Sequence, residues 1–293
     1  MLDEPTTIPV WALVHLAHAA LQDAAETAGA DILHIKGPTL GTNLQPERHD
    51  SSDADVLVRP DHLDRFLDVL TQRGWSEFSG FHEGSAFEHA ANYRHPHLGY
   101  ADVHRLLPGP HASPTVVFEA LWRNRTGTMI AHRECTVPDE AGQVFVQVLH
   151  AARSHGAEGP TTWDAATREV QDGAERLSAE LESRVAFAAG LGRLDEFRGT
   201  PDYYVWRYWS GTDANRLAEW GARWRAASGI RGRLHVAWSA LHVNRTHLRM
   251  RLGHEPTTSE IVREQWSRLG KLYSSMKHWR TSQTRNAGAD RKD

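Results

Sequence analysis

A single cysteine, Cys135, stands among the 293 residues. One thiol excludes an internal disulfide framework and the thiol clusters of a structural zinc site. Apolar runs are short, and none reaches the 18 or so residues that cross a bilayer. A basic stretch followed by an apolar one, the mark of a secretory leader, is missing too. The expected location is therefore the cytoplasm, with no membrane partner. A strong excess of charge of one sign is lacking. The formal net charge is -4 with histidines neutral, which speaks against a general nucleic-acid binder and leaves room only for local patches. Internal repeats and low-complexity tracts are absent. What remains is an ordinary globular composition, 40% hydrophobic and 24% charged, in a length that suits one large domain or two of usual size.

The chain is organised around Ser52-Asp53-Ala54-Asp55-Val56-Leu57-Val58. A strand points alternate side chains to opposite faces. Read as a strand, this stretch shows Asp53, Asp55 and Leu57 on one face and Ala54, Val56 and Val58 on the other. The second set is what a sheet buries against helices. The first presents two carboxylates about 6–7 Å apart along the strand. Acids that close repel each other and are costly to desolvate without a cation between them. The pattern points to a divalent metal site on an α/β scaffold.

Around it, apolar spacing predicts a helix over about Ile8 to Ala28 with Gly29 as its stop, then a short strand at Asp31–Ile35 ended by Lys36-Gly37-Pro38. A short helix is expected from Thr39 to Leu44. Arg59-Pro60-Asp61 ends the acidic strand and opens a helix striped by Leu63, Phe66, Leu67 and Leu70. Strands follow at Trp75–Phe81, Phe87–Tyr93 and His97–Leu106. The last of these places Tyr100, Asp102 and His104 on one face and Ala101 and Val103 on the other. Residues 1–110 thus read as a mixed-sheet α/β (α+β) unit.

Residues 111–280 read as mainly helical. Helices are expected over Ala141–Arg153, Trp163–Leu191 with a break near Gly173, Asn215–Arg225, Leu234–Leu252 and Ser259–Trp279. Thr257 and Glu260 form a capping box at the start of the last. Val116 to Pro138 is ambiguous, with short edge strands at Met129-Ile130 and Cys135-Thr136-Val137. Residues 281–293 are polar, lack apolar spacing and are expected to be disordered.

Asp102 is the natural third carboxylate. Three oxygens from two strands suit one or two Mg²⁺ ions, which take oxygen ligands and substrate phosphates. Asp102 could ligate the ion, take a proton from an incoming hydroxyl, or do both; a nearby arginine partner is the plainer alternative. Lys36-Gly37, beside free backbone N–H groups, could cradle a phosphate. Arg48 and Arg59 flank the acidic strand as phosphate contacts or as ion-pair partners. Arg223, Arg225, Arg231, Arg233, Arg245, Arg249 and Arg251 read as a solvated helix face in preference to a nucleic-acid groove. His150 and His155, five apart, read as core or surface histidines.

Three segments in order then carry a resemblance. They are Ile35-Lys36-Gly37-Pro38, then Ser52 through Pro60 with the helix ending Leu70-Thr71-Gln72-Arg73-Gly74-Trp75, then Ala101-Asp102-Val103-His104. Together they resemble the "uncharacterised nucleotidyltransferase" family of the polymerase-β-like nucleotidyltransferase superfamily. The likeness spans about Ala30 to Leu107 and extends to His150–Ala165. It implies a mixed sheet flanked by helices with a helical region after it. The chemistry it implies is Mg²⁺-dependent transfer of a nucleoside monophosphate from an NTP such as ATP to an acceptor, with release of pyrophosphate. Asp53, Asp55 and Asp102 would bind metal and carry catalysis. Lys36-Gly37 stands where the superfamily's Gly-Ser usually lies, and Arg48 or His49 where its arginine does, so Lys36, Gly37 and Arg48 would hold the nucleotide. The acceptor stays open among small molecule, peptide, protein and RNA. A non-catalytic nucleotide- or partner-binding protein and a kinase-type phosphotransferase using the same metal site are the alternatives.

Overall fold

The computed structural model describes residues 8–44, 51–81, 87–153, 160–211, 257–260 and 263. The chain forms two compact units, Met1–Arg198 and Gly199–Asp293.

The first unit opens with α1 (Val10–Ala28), which ends where Gly29 turns left-handed at φ 60° and returns its N–H to the Ala25 and Glu26 carbonyls. Glycine adopts that conformation without the Cβ penalty of other residues. β1 (Ile32–Ile35), β2 (Asp53–Val58), α2 (Leu63–Gln72), β3 (Ser76–Ser79), β4 (Ala90–His95) and β5 (Gly99–His104) follow. The five strands form one sheet in the order β1-β2-β5-β4-β3. β2 and β5 are parallel, and every other pair is antiparallel. A parallel pair needs a long crossover, and α2 with the β3–β4 hairpin supplies it.

The alternation read from sequence is the one that forms. Ala54, Val56, Val58, Ala101 and Val103 are fully buried and pack with Ala17, Leu21, Ala24 and Ala25 of α1 and Phe66 and Leu70 of α2. The register sets Asp53 beside Tyr100, Asp55 beside Asp102, and Leu57 beside His104. The acids therefore share the face of the sheet turned away from α1 and α2.

Beyond the sheet come α3 (Pro114–Arg123), the hairpin β6 (Thr126–Ile130) and β7 (Arg133–Val137), then α4 (Glu140–Ala151), α5 (Thr161–Ala165), α6 (Arg168–Glu180) and α7 (Arg184–Gly190). α4 packs against α5, α6 and α7. Gly190 of α7 lies so close to α4 that a Cβ there would collide with the Val148 carbonyl. The second unit contains α8 (Pro201–Ser210). In it the glutamate half of the expected capping box forms: Glu260 Oε2 accepts from the Thr257 N–H at 2.9 Å and from its hydroxyl at 2.7 Å.

Three expectations are corrected. No helix runs from Thr39 to Leu44; a 3₁₀ turn at Gly37–Thr39 takes its place, because Pro38 presets a helical φ earlier in the chain. The ambiguous stretch opens as a helix, capped by the Ser113 side chain on the Val116 N–H, while the short strands expected at Met129-Ile130 and Cys135-Thr136-Val137 do form, as parts of a separate two-stranded sheet. The helical region expected over Trp163–Leu191 is unbroken at Gly173. It breaks instead at Ala166, where Thr167 caps α6 through the Val170 N–H, and around Glu182, at φ 54°. The helices expected at Asn215–Arg225 and Leu234–Leu252, most of Ser259–Trp279, and the tail 281–293 lie outside the described residues.

Candidate metal and anion site

Asp55 is the centre of the polar face. It is only 4% exposed, and two donors converge on its Oδ1: the Lys36 ammonium at 2.6 Å and His104 Nε2 at 2.8 Å. Burial works to raise its pKa, but Lys36 and His104 overcome this and hold the carboxyl well below the usual range. His104 therefore donates from Nε2 and is neutral; burial lowers it to about 4 against the pull of Asp55. Its Nδ1 is then a bare lone pair, buried and without a partner.

Asp102 meets Asp55 across the parallel pair. Burial first, then the charges of Asp55 and Asp53, raise its pKa to about 7. Asn92, its register partner on β4, donates Nδ2–H to Asp102 Oδ1 and in turn accepts from the Ser79 hydroxyl. Asp53 sits two residues before Asp55, where the strand nears solvent. Ser52 and Ser51 donate to it at 3.3 and 3.5 Å, and burial followed by Asp55 raises it.

Asp55, Asp102 and His104 each bring a ligand atom within 4.8 Å of the others, a group that could hold a metal ion. Asp53 stands beside this group on the same face. The donor set is mainly carboxylate oxygen, which suits a hard divalent cation. The elevated Asp102 fits as well: a carboxyl pushed up by two neighbouring carboxylates is one that a cation would stabilise in its charged form.

Lys36 reaches Asp55 from a distorted turn. Its backbone has φ 62° and ψ -179°, a region that glycine alone visits readily. Gly37 follows at φ 53°, and a Cβ there would crowd the Ser51 side chain at 3.2 Å. Arg48 and His49 lie outside the described residues. Arg59 takes its alternative role: it is paired to Asp31 and Glu119 and lies over the Phe118 and Trp122 rings.

Sequence reasoning placed His104 on the Asp102 face without giving it a role, and it did not bring three other residues to this site. His104 was legible by parity, two residues after Asp102 on the same face. Asn92, His89 and Arg153 gather from β4, the loop before it and the end of α4, and no spacing links them. Arg153 Nη1 lies 2.6 Å from His89 Nε2, and its Nη2 lies 3.3 Å from His150 Nδ1. The His89 and His104 rings are 5.2 Å apart. A cleft of about 810 Å³ opens elsewhere in the unit, between Thr39, Arg123, Asn124 and Arg176, and none of the three acids lines it.

No protein-family model matches the chain, and no curated protein matches it. Among solved structures it is similar to a lincomycin-bound lincosamide antibiotic adenylyltransferase, LnuA. The identity is 15%, over 55% of this chain and 94% of that one, with a TM-score of 0.34. It is also similar to an antigenic nucleotidyltransferase-like protein from Paracoccidioides brasiliensis. There the identity is 13%, over 60% of this chain and 92% of that one, with a TM-score of 0.34.

Proposed function

We propose that the protein is a Mg²⁺-dependent nucleotidyltransferase that moves a nucleoside monophosphate from an NTP to an acceptor hydroxyl. One observation carries the reading: Asp55 and Asp102 lie side by side on parallel strands, with Asp53 on the same face. Asp53, Asp55 and Asp102 would hold the ion. Bound there, it would withdraw charge from the phosphate oxygens and make the acceptor hydroxyl more acidic.

The chain's own groups divide the remaining work. Asp102 takes the proton of the acceptor hydroxyl, because it is the carboxylate that meets Asp55 across the parallel pair. The hydroxyl oxygen forms the new bond to the α-phosphorus. The bond from that phosphorus to the bridging oxygen breaks, and pyrophosphate departs with the electron pair. Lys36, Gly37 and Arg48 would hold the phosphates, as the sequence resemblance implies. His104 keeps Asp55 ionised and oriented by its bond to Oδ1.

The test uses ATP labelled separately at the α- and γ-positions with a panel of small-molecule, peptide, protein and RNA acceptors. Label from the α-position on the acceptor, with matching pyrophosphate release, is expected. Asp53→Asn and Asp55→Asn should each lower turnover by at least about a thousandfold while circular dichroism stays unchanged. Full turnover in the Asp53→Asn/Asp55→Asn double variant would sink the assignment. Transfer of the γ-label would make the protein a phosphotransferase. A second reading has one observation in its favour: the Lys36 ammonium already neutralises Asp55. On that reading the protein binds nucleotide without turning it over, and calorimetry would detect ATP binding with no label transferred.

A further inference from the structure

Arg153 presents a problem of charge. Its Nε is closed off from solvent and has no hydrogen-bond partner. Among the described residues no carboxylate lies within ion-pair distance of its guanidinium. The groups it does touch are the imidazoles of His89 and His150. An imidazole nitrogen that accepts from a guanidinium must be unprotonated. His89 is held so: burial first, then Arg153 itself, lowers its pKa to about 2. The two histidines therefore aim the fork and supply no countercharge. A buried cation without an anion is costly, and the acids that pull on this one are Asp55 and Asp102.

Its position is equally specific. From Asp55 Oδ1 the path runs 2.8 Å to His104 Nε2, across the 5.2 Å between the His104 and His89 ring centres, and then 2.6 Å from His89 Nε2 to Arg153. Lys36 stands on Asp55 itself. Among the described residues the acid group is thus attended by two cations, one in contact with it and one held off by two imidazoles. That arrangement opposes a site for metal alone, since Arg153 would repel the ion. It suits a ligand whose negative charge extends beyond the ion. His89 is buried, Arg153 half-buried and His150 exposed, so the cluster runs from the interior to solvent. A planar guanidinium with donors in a fixed fork matches phosphate oxygens in two-point contact.

We infer that Arg153, aimed by the positioning residues His89 and His150, is an anion-binding arm that grips the phosphates leaving as pyrophosphate. This inference rests on the nucleotide reading of the acid group. It moves part of the phosphate grip from the Lys36-Gly37 turn to the end of α4, a segment far from it in sequence.

Inorganic pyrophosphate with Mg²⁺, titrated calorimetrically into the full chain, tests it, with Mn²⁺ binding alone measured in parallel. Arg153→Gln should weaken pyrophosphate binding about tenfold to a hundredfold and leave Mn²⁺ affinity unchanged or higher. Arg153→Lys, which keeps the charge but loses the fork, should fall between. His150→Ala, at an exposed position, should weaken pyrophosphate without lowering thermal stability, which keeps the test open if the glutamine variant folds poorly. Pyrophosphate bound by folded Arg153→Gln or Arg153→Lys within about twofold of wild type overturns the arm. The two proposals fail separately. Arg153-dependent pyrophosphate binding without transfer of the α-label leaves the arm standing and removes the nucleotidyltransferase. Transfer of the label with Arg153-independent pyrophosphate binding does the reverse.

Discussion

Lys36 combines two costs that a single substitution can separate. Its backbone occupies a region essentially reserved for glycine, and its ammonium is the nearest cation to buried Asp55. The turn is fixed from both sides: Thr39 donates to the Lys36 carbonyl at 2.7 Å, and Gly37 follows, also at positive φ. Lys36→Met and Lys36→Gly lose the same charge, but only glycine relaxes the backbone. Urea unfolding should find the glycine variant more stable than the methionine variant by about 1 kcal/mol. Equal midpoints would mean that the turn stores no strain. Both variants should bind Mn²⁺ more tightly than wild type, because the competing ammonium has left Asp55. The acids and Lys36 were legible in the sequence because strand parity and an abrupt Gly-Pro turn announce them. Arg153 and His89 were not, because a site assembled from unrelated segments leaves no periodic trace.

The strands of β6 and β7 were read in part, as short edge strands, and the turn joining them went unread for a local reason. It places Ala131 at φ 47° and His132 at φ 63°, where Asn-Gly or Asp-Gly usually signals such a turn. The contact between α1 and β1 holds a second feature invisible to pattern reading. His18 Nδ1 and His34 Nδ1 lie 2.8 Å apart, both rings buried, and His34 Nε2 lies 3.1 Å from Gln22 Oε1. The carbonyl oxygen of Gln22 can only accept, so His34 donates from Nε2 and accepts at Nδ1. His18 must then donate from Nδ1, and its Nε2 is the buried atom left without a partner. Burial lowers His18 to about 4, against the pull of Asp55, and burial followed by His18 holds His34 well below its ordinary value. The unfolded chain protonates both near 6.5 and so binds more protons between that value and about 4. The stability these residues contribute is complete above pH 6.5 and is lost as pH falls through the window. Urea midpoints from pH 7 to 4.5 should drop more steeply for wild type than for His18→Leu/His34→Leu, by up to about 1.4 kcal/mol per pH unit for each histidine. Parallel curves would assign the acid sensitivity to other groups.

In the molecule as a whole, the sheet face toward α1 and α2 is an ordinary apolar core, and the opposite face concentrates the charge. That division followed from alternation in two strands, which is why the mixed α/β class and the meeting of Asp55 with Asp102 could be read in advance. Helix boundaries in the later part could not, because caps such as Thr167 and left-handed residues such as Glu182 set them where apolar spacing runs on. An acid group that a cation completes should couple ligand binding to unfolding. Mg²⁺ with ATP at about a hundred times the dissociation constant would add about 2.7 kcal/mol, or about 5–10 °C in Tm for a chain of this size. Calorimetric scans should record that rise for wild type and none for Asp55→Asn; an equal rise in both would place the ligand elsewhere.

The parallel pairing of β2 with β5 also fixes when these groups can first meet. Asp55 and His104 are 49 residues apart, and the neighbours that align their strands come from the crossover between them. In a nascent chain Asp53 and Asp55 are synthesised well before Asp102. Translation products that stop short of β5 carry two repelling acids and none of the enclosure that would reward them with an ion.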